Sequence, residues 1–414
     1  MSTTTSARRT STSALAALAV ALLAAPVRAD VLHVPKDFPT IQEAVDAALA
    51  GDEIVVAAGT YTGTVDITGK TDVTLRGQGK VKLVSGELPT PVVLISGSEG
   101  VHVEHVRIEG APGEGLRIFE SALALVSHCR IENPVGVGIA VVDSDFVLIE
   151  HLVVTGAGDD GLHAENSNSL FVSHCTILDG AGDGIEIVDG FDVVVEHVTV
   201  ERAQAVGIRM VPNIDNLDGG ILRKCVVRDS GDSGLEVNGE GMLVEDNRVL
   251  DAGNVGLQIQ AGDACIARDN RLIRPASRGL LISSGVHQVL DNRIVKPVLA
   301  GIHVSDSGLQ VVSGNRVLKS LAEGIVITSG SNGCTLADNK VKSPVGDGIV
   351  VSADDTHVTD NRVQGAGDDG FEVVGASCIF IGNKGKGSAG FDLLDPSGNG
   401  NVYVDNDFGT THVE

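Results

Sequence analysis

Asp183-Gly184-Ile185-Glu186-Ile187-Val188 and, shortly after it, Val193-Val194-Val195-Glu196-His197-Val198-Thr199-Val200 decide the fold. Ile185 and Ile187 alternate with Glu186, the period of a strand with one buried face. Val198 and Val200 keep that alternation, but Val195 to Val198 is a step of three, so the chain bends at Glu196–His197. One unit of chain therefore holds two or three short strands separated by turns, with no helical period. The unit recurs. A glycine followed by a large apolar residue stands at Gly115, Gly138, Gly161, Gly184, Gly207, Gly234, Gly256, Gly279, Gly301, Gly324, Gly348, Gly370 and Gly390, with gaps of 23, 23, 23, 23, 27, 22, 23, 22, 23, 24, 22 and 20 residues. A fixed period of that size marks a solenoid whose repeats stack on one another. Glycine at the head of each unit suits a corner needing positive φ or a close backbone approach. The expected fold is all-β: a parallel β-helix of about fifteen coils, roughly 70 Å long at the usual strand spacing.

A second column supports the register. Asn247, Asn270, Asn292, Asn315, Asn339 and Asn361 each precede a glycine corner by nine residues, and Asn383 and Asn406 continue the series. Most are followed by Arg or Lys. An asparagine amide donates and accepts at once, so a stack of them forms a hydrogen-bonded ladder. These coils resemble those of the right-handed β-helix, pectin-lyase-like superfamily, over about residues 30–414, and right-handedness is implied by that resemblance.

Residues 1–29 read as a leader: Arg8-Arg9, an apolar run from Ala14 to Pro26, and Val27-Arg28-Ala29 as a cleavage site. The apolar run is too short to span a membrane, so the expected location is secreted or periplasmic. Residues 30–69 read as an N-terminal cap and first strand, and residues 70–414 as the β-helix. Thr40-Ile41-Gln42-Glu43 is a capping box, with Ile41, Ala44, Val45, Ala48 and Leu49 on one helical face. This opening is similar to that of pectin methylesterases, but a chain with no Trp lacks their Trp-containing motif.

The chain carries 30 basic and 55 acidic residues. Loss of three Arg with the leader leaves 27 against 55, a net charge of −28. Such a field opposes nucleic acid and anionic membranes as partners. It leaves polysaccharide as the candidate partner, an acidic one requiring a bridging cation such as Ca²⁺, and the chain reads as a monomer. Cys129, Cys175 and Cys225 share one column in alternate coils, and Cys265, Cys334 and Cys378 share another. That spacing exceeds disulfide reach, so six buried free thiols are expected.

His105, His128, His151, His174 and His197 follow one another at 23-residue steps. His128, His151 and His174 are candidate metal ligands, since imidazole suits transition metals, and the chain resembles periplasmic copper-handling β-helix proteins. The competing reading is turn chemistry, because Asp246, Asp269 and Asp291 occupy the same bend later on.

The outward face of the strand after each glycine carries Arg117, His163, Glu186, Arg209 and Glu236, with Asp160 and Asp183 beside it in matching positions on adjacent coils. The one long coil adds Asp215 and Asp218 near Arg209. Crowded carboxylates raise one another's pKa, which suits acid/base work or a shared Ca²⁺. Asp160, Asp183, His163, Glu186 and Arg209 are the candidate catalytic residues; Arg117, Glu236, Asp215 and Asp218 are candidates for substrate binding. Asp160-Gly161 and Asp183-Gly184 resemble the stacked aspartates of polygalacturonases, but Ala205-Val206-Gly207 stands where that family has Gly-His-Gly. The functional expectation is a polysaccharide lyase or hydrolase. The alternative is a non-catalytic β-helix that binds glycan or metal, or serves as a scaffold.

Overall fold

The computed structural model describes residues 29–86, 90–211, 217–396 and 398–413. The proposed leader, apart from Ala29, lies outside the described residues, as does Asp215. A typical coil contributes three strands, such as Ile185–Val188, Val194–Glu196 and Thr199–Glu201, each showing alternate buried positions. Within the rod, strands pair in parallel with the same strand of the adjacent coils; Ile185 lies between Leu162 and Ile208. Sixteen strands that follow the corner stack into one sheet. The other two walls join as a thirty-stranded sheet, because early strands such as Glu53–Thr62 and His102–Glu109 run through the bend without a break. The solenoid thus has sixteen coils, one more than the repeat suggested.

The slip in alternation at His197 is a left-handed residue. His105, His128, His151, His174 and His197 have φ of 53–57°, and Lys224, Asp246, Asp269, Asp291, Asp338 and Asp360 continue the column at 53–56°. Left-handed backbone is open mainly to Gly, Asn, Asp and, to a lesser degree, His, which accounts for the residues found there. The position after this bend points inward. It is Cys129, Leu152, Cys175, Val198 and Cys225 in the first half and becomes Asn247, Asn270 and Asn292 in the second.

The corner glycines have a different cause. Gly161, Gly184 and Gly207 do not have positive φ. A Cβ at Gly184 would sit 2.3 Å from Val200 Cγ1 and 2.5 Å from the Gly207 carbonyl oxygen. Space, not backbone handedness, excludes larger residues here. In the last coil the register pairs Glu372 with Leu394, and the Gly370 N–H donates to the Phe391 carbonyl. The corner therefore falls on Asp392, not Gly390, and the step from Gly370 is 22 residues.

Helix Ile41–Ala47 begins at Thr40, whose Oγ1 accepts the Glu43 N–H at 3.2 Å. Ile41, Ala44 and Val45 are buried against the first coils. Leu49, expected on the same face, is 69% exposed because the helix has already ended at Ala48.

All six cysteines are free and buried. Burial pushes the thiols of Cys129, Cys175 and Cys225 up to about 12 and that of Cys265 to about 11. Since the thiolate is the reactive form, a thiol-specific chromogenic reagent should label none of the six in native protein and all six in denaturant. Stoichiometric labelling before unfolding would contradict this packing.

Candidate functional site

The corner-following strands bring Asp160, His163, Asp183, Glu186 and Arg209 together. His163 pairs in register with Glu186, and Glu186 with Arg209, so their outward side chains stack at coil spacing. Asp160 and Asp183 lie one residue before their corners. Together with Val137 and Ala205 they line an open groove of about 430 Å³.

One oxygen of each aspartate serves the fold. Asp160 Oδ1 accepts the Asp183 N–H at 2.7 Å, and Asp183 Oδ1 accepts the Val206 N–H at 2.7 Å. The second oxygens face the groove. Asp160 Oδ2 lies 3.5 Å from His163 Nδ1, which is also 3.0 Å from Glu186 Oε2. Asp183 Oδ2 lies 3.2 Å from Arg209 Nε, and Glu186 Oε1 lies 3.4 Å from an Arg209 terminal nitrogen. Glu236 Oε2 closes the cluster 3.7 Å from Arg209 Nε.

This arrangement drives the ionisable groups apart. Asp183 is only 4% exposed, and burial pushes its carboxyl up to about 6 against the opposing pull of the Val206 N–H and Arg209. Asp160 and Glu186 hold His163 protonated up to about 10. The hydrogen bond from His163 keeps Glu186 below the usual glutamate range. Asp159, at the rim, is raised by its burial and by Asp160. A carboxylic acid that keeps its proton in mildly acidic solution, Asp183, thus sits three residues before a carboxylate that loses its own readily, Glu186.

Donor atoms of Asp160, His163 and Glu186 lie within 4.8 Å of one another and could hold a cation. An ion there would have to displace the His163 proton. Asp160 and Asp183, the pair considered for Ca²⁺, each spend one oxygen on the backbone.

The other candidates fall elsewhere. Arg117 shares the face but is separated from His163 by the coil of Ala140; it is held by Glu114 at 3.1 Å and lies over the Phe119 ring. The backbone of Leu217–Asp218 pairs with Gly190–Phe191, making a small two-stranded sheet beyond the far end of the Glu186 strand. His128, His151 and His174 stack with centroids 4.7–5.1 Å apart and planes 4–7° from parallel. A nitrogen lone pair lies in its ring plane, and parallel planes do not meet, so the stacked rings do not converge on one ion at metal–nitrogen distances of about 2.0–2.1 Å.

A second cluster lies outside the residues singled out from the sequence. Asp347, Asp368 and Asp369 converge, and Asp347, with Arg278, His303, Glu323 and Glu372, borders a hollow of about 300 Å³ farther along the same face. Asp347 and Asp369 stand 22 residues apart in the column of Asp160 and Asp183, and Asp347 Oδ1 likewise accepts the Asp369 N–H at 2.8 Å. Burial raises both Asp347 and Glu372. No ion pair ties this cluster together among the described residues.

The right handed beta helix region matches residues 91–239 and 213–318, which together make up more than half of the chain. The chain belongs to the right-handed β-helix family. Residues 299–412 also match the periplasmic copper-binding protein NosD. No curated protein matches the chain by sequence. Among solved structures, the A-module of mannuronan C-5 epimerase AlgE4 from Azotobacter vinelandii is similar at 16% identity and a TM-score of 0.52, over 72% of this chain and 89% of that one. The catalytic domain of a GH87 α-1,3-glucanase, solved with nigerose, is similar at 14% identity and 0.55, over 79% and 66%. The tailspike receptor-binding domain of siphovirus 9NA is similar at 11% identity and 0.58, over 85% and 76%. At these identities the likeness is one of fold. No helix among the described residues is long and apolar enough to cross a membrane.

Proposed function

We propose that this β-helix protein is exported and acts on a polysaccharide, as a lyase or hydrolase, in the groove of Asp160, His163, Asp183, Glu186 and Arg209. The observation that carries the reading is the unlike setting of two neighbouring carboxyls in one groove: Asp183 is buried, which pushes it up to about 6, and Glu186 lies 3.0 Å from His163, which keeps it below the usual glutamate range. Groups whose environments separate their pKa values in this way make a proton donor and a proton acceptor. Asp183 is the donor and Glu186 the acceptor. Asp160 positions the His163 imidazolium, and Arg209 faces the charge that develops on the sugar. The groove is open and crosses the successive coils from Val137 to Arg209, and the structural neighbours include an epimerase and a glucanase that act on polysaccharides.

The test incubates the protein with a panel of acidic and neutral polysaccharides, with Ca²⁺ and with chelator, following reducing ends and unsaturated products. Unsaturated ends identify a lyase, and reducing ends alone a hydrolase. Silence across the panel would overturn the enzymatic reading in favour of a binding or scaffold protein.

A further inference from the structure

On the wall away from the groove, one outward column is basic for seven coils in succession: Arg248, Arg271, Arg293, Arg316, Lys340, Arg362 and Lys384. Each pairs in register with the next. All are exposed except Arg293, which is half-buried. None has an ion-pair partner within 4.0 Å among the described residues.

The same column near the N-terminus is built differently. There Lys82 meets Glu109 at 2.7 Å, and Arg107 and Arg130 both meet Glu132. Those glutamates lie two residues along the strand, on the same face. In the later coils that neighbouring position is Leu250, Ile273, Val295 and Leu318, and then Lys342, Gln364 and Lys386. The fold that neutralises its cations at one end leaves them stacked and unpaired at the other. Like charges stacked at strand spacing repel, and a chain of formal net charge −25 has ample acid to pair them. At the C-terminal end the ladder opens into a pocket of about 410 Å³ lined by Arg362, Gln364, Lys384, Lys386 and Asp407.

We infer that this ladder binds a linear polyuronate, a polysaccharide with one carboxylate per sugar, laid along the axis of the solenoid. Seven coils at the strand spacing make a straight row of about 29 Å. An extended chain of pyranose rings advances by about one strand spacing per residue, so successive carboxylates meet successive cations. Bend residues Asp246, Asp269, Asp291, Asp338 and Asp360 run alongside, two positions before the cations, and are exposed. They would accept hydrogen bonds from sugar hydroxyls. A DNA duplex lacks those hydroxyls, carries a charge about every 1.7 Å, and winds its phosphates away from a straight row. The inference rests on the glycan reading for the kind of polymer, and it adds that the polymer is acidic and is gripped outside the groove.

The test is calorimetric binding of oligogalacturonate long enough to span the ladder, with a neutral oligoglucan and duplex DNA as comparisons. Proteins are the wild type, the double variant Arg316→Gln/Lys340→Gln, and Arg107→Gln/Arg130→Gln as a control in the paired part of the column. Thermal melts establish that each is folded. We expect the wild type to bind oligogalacturonate and not oligoglucan. Affinity should fall at least about tenfold in Arg316→Gln/Lys340→Gln, and the log–log salt slope should drop by about 1–2 as two contacts are lost. The control pair should bind as the wild type does. Equal affinity in Arg316→Gln/Lys340→Gln, equal binding of oligoglucan, tighter binding of DNA, or no binding at all would each overturn the inference. Because binding is measured without turnover, failure here leaves the groove reading standing, and silence of the groove leaves this result standing.

Discussion

Asp183→Asn is expected to reduce turnover by about 10²–10⁴-fold, the usual contribution of a general acid or base, while the rod stays folded. An amide cannot deliver a proton, so the variant removes the donor. Its carbonyl oxygen can still accept the Val206 N–H that Asp183 Oδ1 accepts at 2.7 Å, so the link between coils survives. Glu186→Gln should lose activity over a similar range by removing the acceptor. Asp369→Asn is the matched control: Asp369 Oδ1 accepts the Phe391 N–H at 2.5 Å, the same turn chemistry outside the groove, and its turnover should match the wild type. Equal rates in Asp183→Asn and wild type would reduce both aspartates to turn residues and remove the assignment. The pH profile carries the sign. Asp183 must be protonated, so the rate falls as pH rises through about 6. Glu186 must be ionised, so the rate falls again as pH drops through a value below the usual glutamate range. The optimum should lie on the acid side of neutrality, and the upper limb should vanish from the residual activity of Asp183→Asn.

The period gave away the solenoid because each coil repeats both its inward residues and its bends. The three-residue step at His197 located a bend, and its left-handed backbone is what the structure adds. The same arithmetic placed His163, Glu186 and Arg209 in one stack, since residues one period apart in a parallel sheet are neighbours by necessity. What the period could not reveal is how each side chain divides its atoms. That one oxygen of Asp160 and of Asp183 belongs to the backbone of the next coil follows from the corner geometry. That Asp183 is buried while its neighbour Asp159 is partly open depends on which way the turn faces the groove. Arg117 had the right column, but Ala140 lies between it and the cluster. The corner glycines looked compatible with two causes, and the absence of positive φ at Gly184 with the closeness of Val200 Cγ1 chose between them. The unpaired cations were in plain view after every ladder asparagine but Asn406. Their isolation rests on the residue two places on, which is Glu132 in one coil and Leu318 in another, and only a register fixed coil by coil brings those two into one comparison.

Asn315→Ala should be the most destabilising single truncation outside the apolar core, at about 3–5 kcal/mol. Asn315 is fully buried. Its amide donates to the Val289 carbonyl at 2.8 Å and to Asn339 Oδ1 at 3.0 Å, while its Oδ1 accepts the Asn292 N–H at 2.9 Å and the Asn292 amide at 3.1 Å. Alanine would leave donors and acceptors stranded in the interior on both sides, and an unmade buried hydrogen bond costs far more than a made one contributes. Asn315→Asp should be worse still near neutral pH, because a carboxylate offers no donor to Val289 or Asn339. Cys129→Ala provides the comparison: it occupies the same inward position in the first half of the rod, where the column is apolar, and should cost about 1 kcal/mol for the area lost. Denaturant unfolding measures both. In a solenoid each coil is held only by its neighbours, so the damage should also be local. Hydrogen exchange in Asn315→Ala should rise first in the coils of Asn292 and Asn339 and leave those of Cys129 and Cys175 protected. A cost no greater than that of Cys129→Ala would mean that the coils are held by their backbone pairing and apolar filling, with the asparagines serving only to turn the chain.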